Sequence, residues 1–225
     1  MATILENVQG VKARIARAAR AAGRDPESVT LLAVSKTHPA TRVAEAQAAG
    51  LRAFGENYVQ EGLQKMRLVS GAEWHLIGAL QSNKSRLAAE RFDWVQTVDR
   101  VRIANRLSEQ RPADLPPLNV LIEVNISGEA SKSGVAVKEV TELARAIARL
   151  PRLRLRGLMC LPPAETEFER QRVHFRRLRE CQEAMTDAGF ALDVLSAGMS
   201  ADLEAAVAEG ATHLRIGTAI FGPRA

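Results

Sequence analysis

Short apolar runs rich in Val, Ile and Leu alternate along this chain with longer stretches whose apolar positions recur every three to four residues. The first run, "VTLLAV", is bounded by polar residues and passes directly into "SKTHPA", so it predicts a buried strand ending near Lys36. Further strands are predicted to begin near Arg52, Trp74, Trp94, Val120, Leu155, Leu192 and His213, which with Val29 makes eight. Between them lie helical patterns such as "ATRVAEAQAAG", "RVRIANRLSEQ" and "KEVTELARAIARL". Ahead of the first strand, Ile4, Val8, Val11 and Ile15 fall at helical spacing and predict an amphipathic helix laid on the protein.

Strict alternation of strand and helix implies a parallel sheet, because parallel neighbours need a crossover connection. Eight units without a break predict an α/β fold, a single (β/α)8 TIM-type barrel domain over 1–225 with an extra N-terminal helix. An open doubly wound sheet is the alternative. It would carry a glycine-rich nucleotide turn after an early strand, and no G-x-G-x-x-G occurs.

Composition narrows the function classes. Of 225 residues 46% are hydrophobic, enough for a large core, but only 4% are aromatic, so that core is built from aliphatics. The formal charge of +5 is spread along the chain and favours small anions over nucleic acid, for which interleaved stacking aromatics are missing. Cys160 and Cys181 have no metal or disulfide spacing. No run has signal-peptide or membrane-spanning character, so a cytoplasmic protein with no membrane partner is expected.

In a barrel, the residues at the C-terminal ends of the strands line the active mouth. Lys36, Asn57, His75 and Met199 occupy such positions and are expected to converge, His75 as a base or as a bonded core histidine. The last two units, "LSAGMSADLEAAVAEG" and "HLRIGTAIFG", each run from strand through small residues into a helix start, where N–H groups and a partial positive charge suit phosphate. Ser200 is expected to cap a helix starting at Ala201, Gly217 to let backbone approach an anion, and Thr218 to add a hydroxyl. Arg215 alternates with Leu214 and Ile216 and should face the barrel interior, where it needs an acceptor: Glu123 or Asp193 if structural, a ligand if functional. The loop 127–134, with Lys132, reads as a solvated segment or a basic lid. The run "RQRVHFRRLRE" reads as a solvated helix face with Val173 and Leu178 on its buried side.

An amine, a phosphate cradle and an inward arginine are the parts that pyridoxal phosphate requires, although an aldolase-type Schiff-base barrel without cofactor shares the lysine. The segments "AVSKTHPA", "FGENYVQE", "WHLIGALQSNK", "VNISGEASKSG", "GLMCLPP" and "LSAGMSADLEAAVAEGATHLRIGTAIFG" resemble those of the YggS/PROSC family of pyridoxal phosphate homeostasis proteins, in order from about residue 28 onward. The resemblance implies that Lys36 forms the Schiff base and Asn57 lies near the cofactor. It implies that Ser200, Gly217 and Thr218 hold the phosphate, while Arg215 faces the pyridine nitrogen as in related alanine racemase barrels. His38 and Ala79 depart from the family pattern away from these positions.

An arginine at the ring nitrogen disfavours its protonation and so weakens the electron sink that transamination needs. Racemization requires acid–base groups on both faces of the substrate, and the only tyrosine is Tyr58. The expected function is therefore intracellular pyridoxal phosphate homeostasis with little or no turnover; the alternative is an amino-acid racemase. Expected partners are pyridoxal phosphate, amino acids and apo-enzyme acceptors. A monomer is expected, since the racemase dimerisation domain has no counterpart in this sequence.

Overall fold

The computed structural model describes residues 2–129 and 132–223. Helix α1 (Ile4–Ala21) opens the chain. It is followed by β1 (Thr30–Val34), α2 (Ala40–Ala48), β2 (Ala53–Glu56), α3 (Val59–Met66) and β3 (Glu73–Leu76). Next come α4 (Ser85–Arg91), β4 (Trp94–Val98), α5 (Val101–Gln110), β5 (Leu118–Asn125), β6 (Val135–Ala136) and α6 (Val140–Ala148). The chain ends with β7 (Leu153–Met159), α7 (Phe168–Asp187), β8 (Val194–Ser196), α8 (Leu203–Ala208), β9 (His213–Ile216) and α9 (Thr218–Phe221). Eight of these strands pair in parallel in the cyclic order β1-β2-β3-β4-β5-β7-β8-β9, and β9 returns to β1, so the sheet is a closed barrel. Leu32 lies beside Ala53 on one side and Arg215 on the other, which brings the first and last units together.

The predicted strands all form, with β2 beginning at Ala53 and β8 only at Val194. The short ninth strand, β6, was not expected. It continues from Gly134 and pairs with the end of β5. Gly134 has φ +102, and a Cβ there would sit 2.7 Å from Asn125 N, so only glycine lets the segment reach the sheet.

Apolar packing has two compartments. A large shell lies between strands and helices, and smaller groups fill the barrel: Leu32, Val34, Ala53 and Ile77 in one, Trp94, Leu121, Met159 and Val194 in the other. Helix α1 buries the stripe Ile4, Val8, Val11 and Ile15, as its spacing predicts. Its polar side ties it to the last units. Arg14 pairs with Glu204 at 2.9 Å and donates to the Ser200 carbonyl at 3.2 Å, and Asn7 donates to the Ile220 carbonyl. The N-terminal helix thus braces the loops after β8 and β9. On α7 the buried stripe is Gln171, Phe175, Leu178 and Met185, while Val173 is exposed, contrary to its predicted side. Val173 falls among Arg170, Arg172 and His174 on the outer arc; the inward arc is set by Phe175 and Leu178, three residues apart.

Candidate functional site

A cavity of about 320 Å³ opens at the C-terminal ends of the strands. Lys36, Asn57, Met199, Ser200, Arg215, Gly217 and Thr218 line it, together with Val34, His38 and Ile77. Seven of the eight residues singled out in the sequence therefore share one mouth.

Lys36 follows β1 by two residues and is half-buried. The turn that carries it is held from behind. Lys65, on α3, is buried and donates to the Ser35 carbonyl at 2.6 Å, to Glu56 Oε1 at 2.6 Å and to Glu61 Oε1 at 2.8 Å. Ser35 Oγ also donates to Glu56 Oε1, at 2.5 Å. Thr37 N–H donates to Glu61 Oε1 at 2.5 Å, which stabilises a φ of +69 that a β-branched residue rarely adopts. Both neighbours of Lys36 are thus clamped to one buried ion cluster. Burial pushes the Glu56 carboxyl above its ordinary range, opposed by Lys65 and Ser35. The sequence reading missed this cluster. Its signal was Lys65 falling on the inward stripe Val59–Gly62–Lys65 of α3, a buried position that an unpaired lysine does not occupy.

Arg215 is only 4% exposed. Its Nη1 donates to Ser196 Oγ and its Nη2 to the Cys160 carbonyl, both at 2.7 Å. Neither expected carboxylate bonds to it. Asp193 points away and takes a two-pronged pair from Arg156, with Nε to Oδ1 at 2.7 Å. Glu123 acts on Arg215 only at a distance; burial, reinforced by Asp99 and opposed by Arg215, pushes its carboxyl up to about 7. Burial draws the guanidinium somewhat below its ordinary value, but an arginine stays charged. Cys160 is an inert buried thiol, pushed up to about 12 chiefly by desolvation.

The last two units differ from the expected caps. The N-cap of α8 is Asp202, not Ser200, and Asp202 Oδ1 accepts from Met199 N–H at 2.5 Å. Ser200 instead reaches across the mouth and accepts from Ala219 N–H at 3.3 Å, joining the loop after β8 to the first turn of α9. Gly217 packs against the end of β1: a Cβ there would lie 3.1 Å from the Val34 carbonyl. Gly78 does the same on the other side, where a Cβ would lie 2.3 Å from Asn57 O. His38 lines the cavity and stacks on Phe221 at 5.0 Å.

His75 is the exception. It does not reach the mouth; Ile77, two residues on, takes that place. His75 is fully buried deeper in the barrel, stacked on Trp94 at 5.1 Å and bonded to Glu73 and Gln96. Burial holds its imidazole below the ordinary histidine range, against the pull of Glu73. The strand runs on past His75 to Leu76, so the residue of the same parity that reaches the rim is Ile77. Of the loop 127–134, residues 130 and 131 lie outside the described residues; Asn125 Nδ2 donates to the carbonyls of Glu129 and Lys132 on either side.

Residues 7–225 match the family described as alanine racemase, N-terminal domain. A Pseudomonas aeruginosa protein named pyridoxal phosphate homeostasis protein is 59% identical over 100% of this chain and 97% of its own length. The Escherichia coli K12 protein of the same name is 57% identical over 100% and 98%. Among solved structures, PipY of Synechococcus elongatus with PLP bound is 33% identical, with TM-score 0.85 and coverage of 98% of this chain and 100% of that one. Alanine racemase from Corynebacterium glutamicum, at 21% identity and TM-score 0.73, shares the fold over 61% of its length. The chain belongs to the pyridoxal phosphate homeostasis protein family, whose barrel is that of the alanine racemase N-terminal domain.

Proposed function

We propose that this protein binds pyridoxal phosphate reversibly in the cavity at the barrel mouth and serves cofactor homeostasis with little or no turnover. When bound, the cofactor supplies an aldehyde that condenses with an amine, a dianionic phosphate, and a ring able to draw off electrons. The residues present fit it. A lysine amine, a buried guanidinium with no carboxylate bonded to it, and the Ser200, Gly217 and Thr218 loops face one cavity. Two cations and hydroxyl donors match an anionic, aldehyde-bearing ligand.

In this reading Lys36 captures the aldehyde, and the clamp on Ser35 and Thr37 keeps its amine aimed into the cavity. Ser200 receives one backbone N–H and keeps its own O–H for phosphate, beside the Thr218 hydroxyl. Arg215 sits at the ring nitrogen and keeps it unprotonated, which suppresses amino-acid chemistry. Asn57 and Met199 close the sides. His75 has no direct contact role, since it does not line the cavity. Among the described residues no helix is long and apolar enough to cross a membrane. Monomeric action in the cytoplasm, with amino acids and apo-enzymes as exchange partners, completes the proposal.

The observation that carries the reading is that Lys36 and Arg215 face the same cavity. Protein mixed with pyridoxal phosphate should turn yellow, and borohydride should fix a pyridoxyl group on the Lys36 peptide. Lys36→Ala should stay colourless; an equally yellow Lys36→Ala protein would sink the assignment. Chiral analysis after incubation with L-amino acids separates the racemase alternative, which demands turnover of roughly 1 per second or more.

A further inference from the structure

A hydrogen-bonded column runs from the cavity down through the barrel. Arg215 Nη1 donates to Ser196 Oγ at 2.7 Å, and Ser196 Oγ donates to Gln96 Oε1 at 2.7 Å. Gln96 Nε2 meets His75 Nδ1 at 2.9 Å, and His75 Nε2 meets Glu73 Oε1 at 2.8 Å. Ser196, Gln96 and His75 are fully buried, while the Glu73 side chain is 46% exposed at the far end. The column draws on β9, β8, β4 and β3, so it crosses the barrel rather than following a strand.

With His75 neutral, as its burial favours, donor and acceptor chemistry allows one arrangement. A carboxylate only accepts, so His75 carries its hydrogen on Nε2 and Nδ1 accepts from the Gln96 amide. Gln96 then turns its oxygen to Ser196, whose single hydrogen goes there and whose lone pairs face Arg215. All four links run in the same sense, away from the cavity, so each polarises the next. Stability alone does not call for this. Leu121, Met159 and Val194 fill the same interior, and a buried polar column must repay the desolvation of every member.

We infer that Ser196, Gln96 and His75 are positioning residues for Arg215. They lock a hydroxyl rotor, an amide and a tautomer so that the guanidinium is anchored by neutral acceptors and its charge stays directed at the ligand ring. A carboxylate in their place would neutralise that charge. The inference rests on the proposed pyridoxal phosphate site.

The test uses Gln96→Leu, which keeps volume and removes both links, and His75→Phe, which keeps a ring on Trp94 and removes the nitrogens. Ser196→Thr, which retains the hydroxyl, is the conservative control. Both disruptive variants should still be fixed at Lys36 by borohydride. They should bind pyridoxal phosphate about tenfold more weakly, with a shifted absorbance maximum, whereas Ser196→Thr should match wild type. A second readout needs no cofactor: exchange of the Arg215 guanidinium protons, followed by NMR, should be about tenfold faster in both disruptive variants. Wild-type spectra, affinity and exchange in both would overturn the inference. If wild type itself takes up no cofactor, the site proposal fails, and unchanged Arg215 exchange would separately overturn the positioning role. Should Gln96→Leu fail to fold, His75→Phe decides by the same measures.

Discussion

At the floor of the barrel, charge is met locally: Arg156 forks onto Asp193 and lies 4.9 Å over the Trp94 ring, and Glu73 accepts from His75. At the mouth, Arg215 rests on a hydroxyl and a carbonyl, and Asp202 and Glu123 act on it only at a distance. The floor is also filled, with His75, Trp94 and His213 packed ring against ring, whereas the mouth holds open space. Burial holds both floor histidines neutral, His213 pushed down to about 4. A neutralised charge closes one end, and a guanidinium left without a bonded carboxylate makes the other end a receptor for an anion.

The mouth nevertheless stands on an ionic base, and removing that base gives the largest expected effect. Lys65→Met leaves Glu56 and Ser35 buried around a missing ammonium, and Glu56 Oε2 already lacks a hydrogen-bond partner. Breaking one side of a buried pair costs about 3–5 kcal/mol. Urea unfolding should show a loss of that size, together with slower capture of pyridoxal phosphate because the Lys36 turn is no longer clamped. A stability within about 0.5 kcal/mol of wild type would mean that the cluster is not a support at all.

Glu123 sharpens the comparison next, because burial pushes its carboxyl up to about 7 although Arg215 opposes the rise. Its folded-state value, about 7, lies above the ordinary 4.5, so the native state holds the proton more tightly than the unfolded chain. That contribution is complete below pH 4.5 and is lost as pH rises through 7. Over this window wild type should lose up to roughly 3 kcal/mol that Glu123→Gln does not. Parallel stability curves for the two proteins between pH 4.5 and 8 would remove Glu123 from the electrostatics of the mouth.

The barrel and most of the site were legible because they depend on local signals. Strand ends bring residues to the rim whatever the helices do, so Lys36, Asn57, Arg215 and the two terminal loops could be placed from alternation and punctuation alone. What stayed hidden depends on depth and on partners across the barrel. His75 has the right parity but sits too low, a matter of strand length that a four-residue β3 does not encode. Ser200 was mistaken for a cap because the helix starts two residues later than expected, at Leu203, with Asp202 as its N-cap and the Asp202 carboxylate turned back to Met199 N–H. The Gln96–Ser196 bond joins residues 100 positions apart, and no periodicity within either strand reports it. Lys65 carried a signal, its place on a buried stripe, but its partners come from β2 and the turn after β1.

The smallest expected effect comes from the floor. Arg156 is partly exposed, its partner Asp193 more so, and exposed pairs contribute about 0–1 kcal/mol. Its position over Trp94 adds about 0.5–1 kcal/mol. Arg156→Met should therefore cost about 1 kcal/mol, and the cost should shrink in 1 M salt because the screening length falls to about 3 Å. The absorbance and affinity of the pyridoxal phosphate complex should not change, since Arg156 stands outside the column from Glu73 to Arg215. That result would show that the floor reaches the mouth only through the bonded chain. A spectral shift in Arg156→Met as large as in Gln96→Leu would instead mean that floor charge acts on the cavity through space, and the sequence of bonded acceptors beneath Arg215 would lose its special standing.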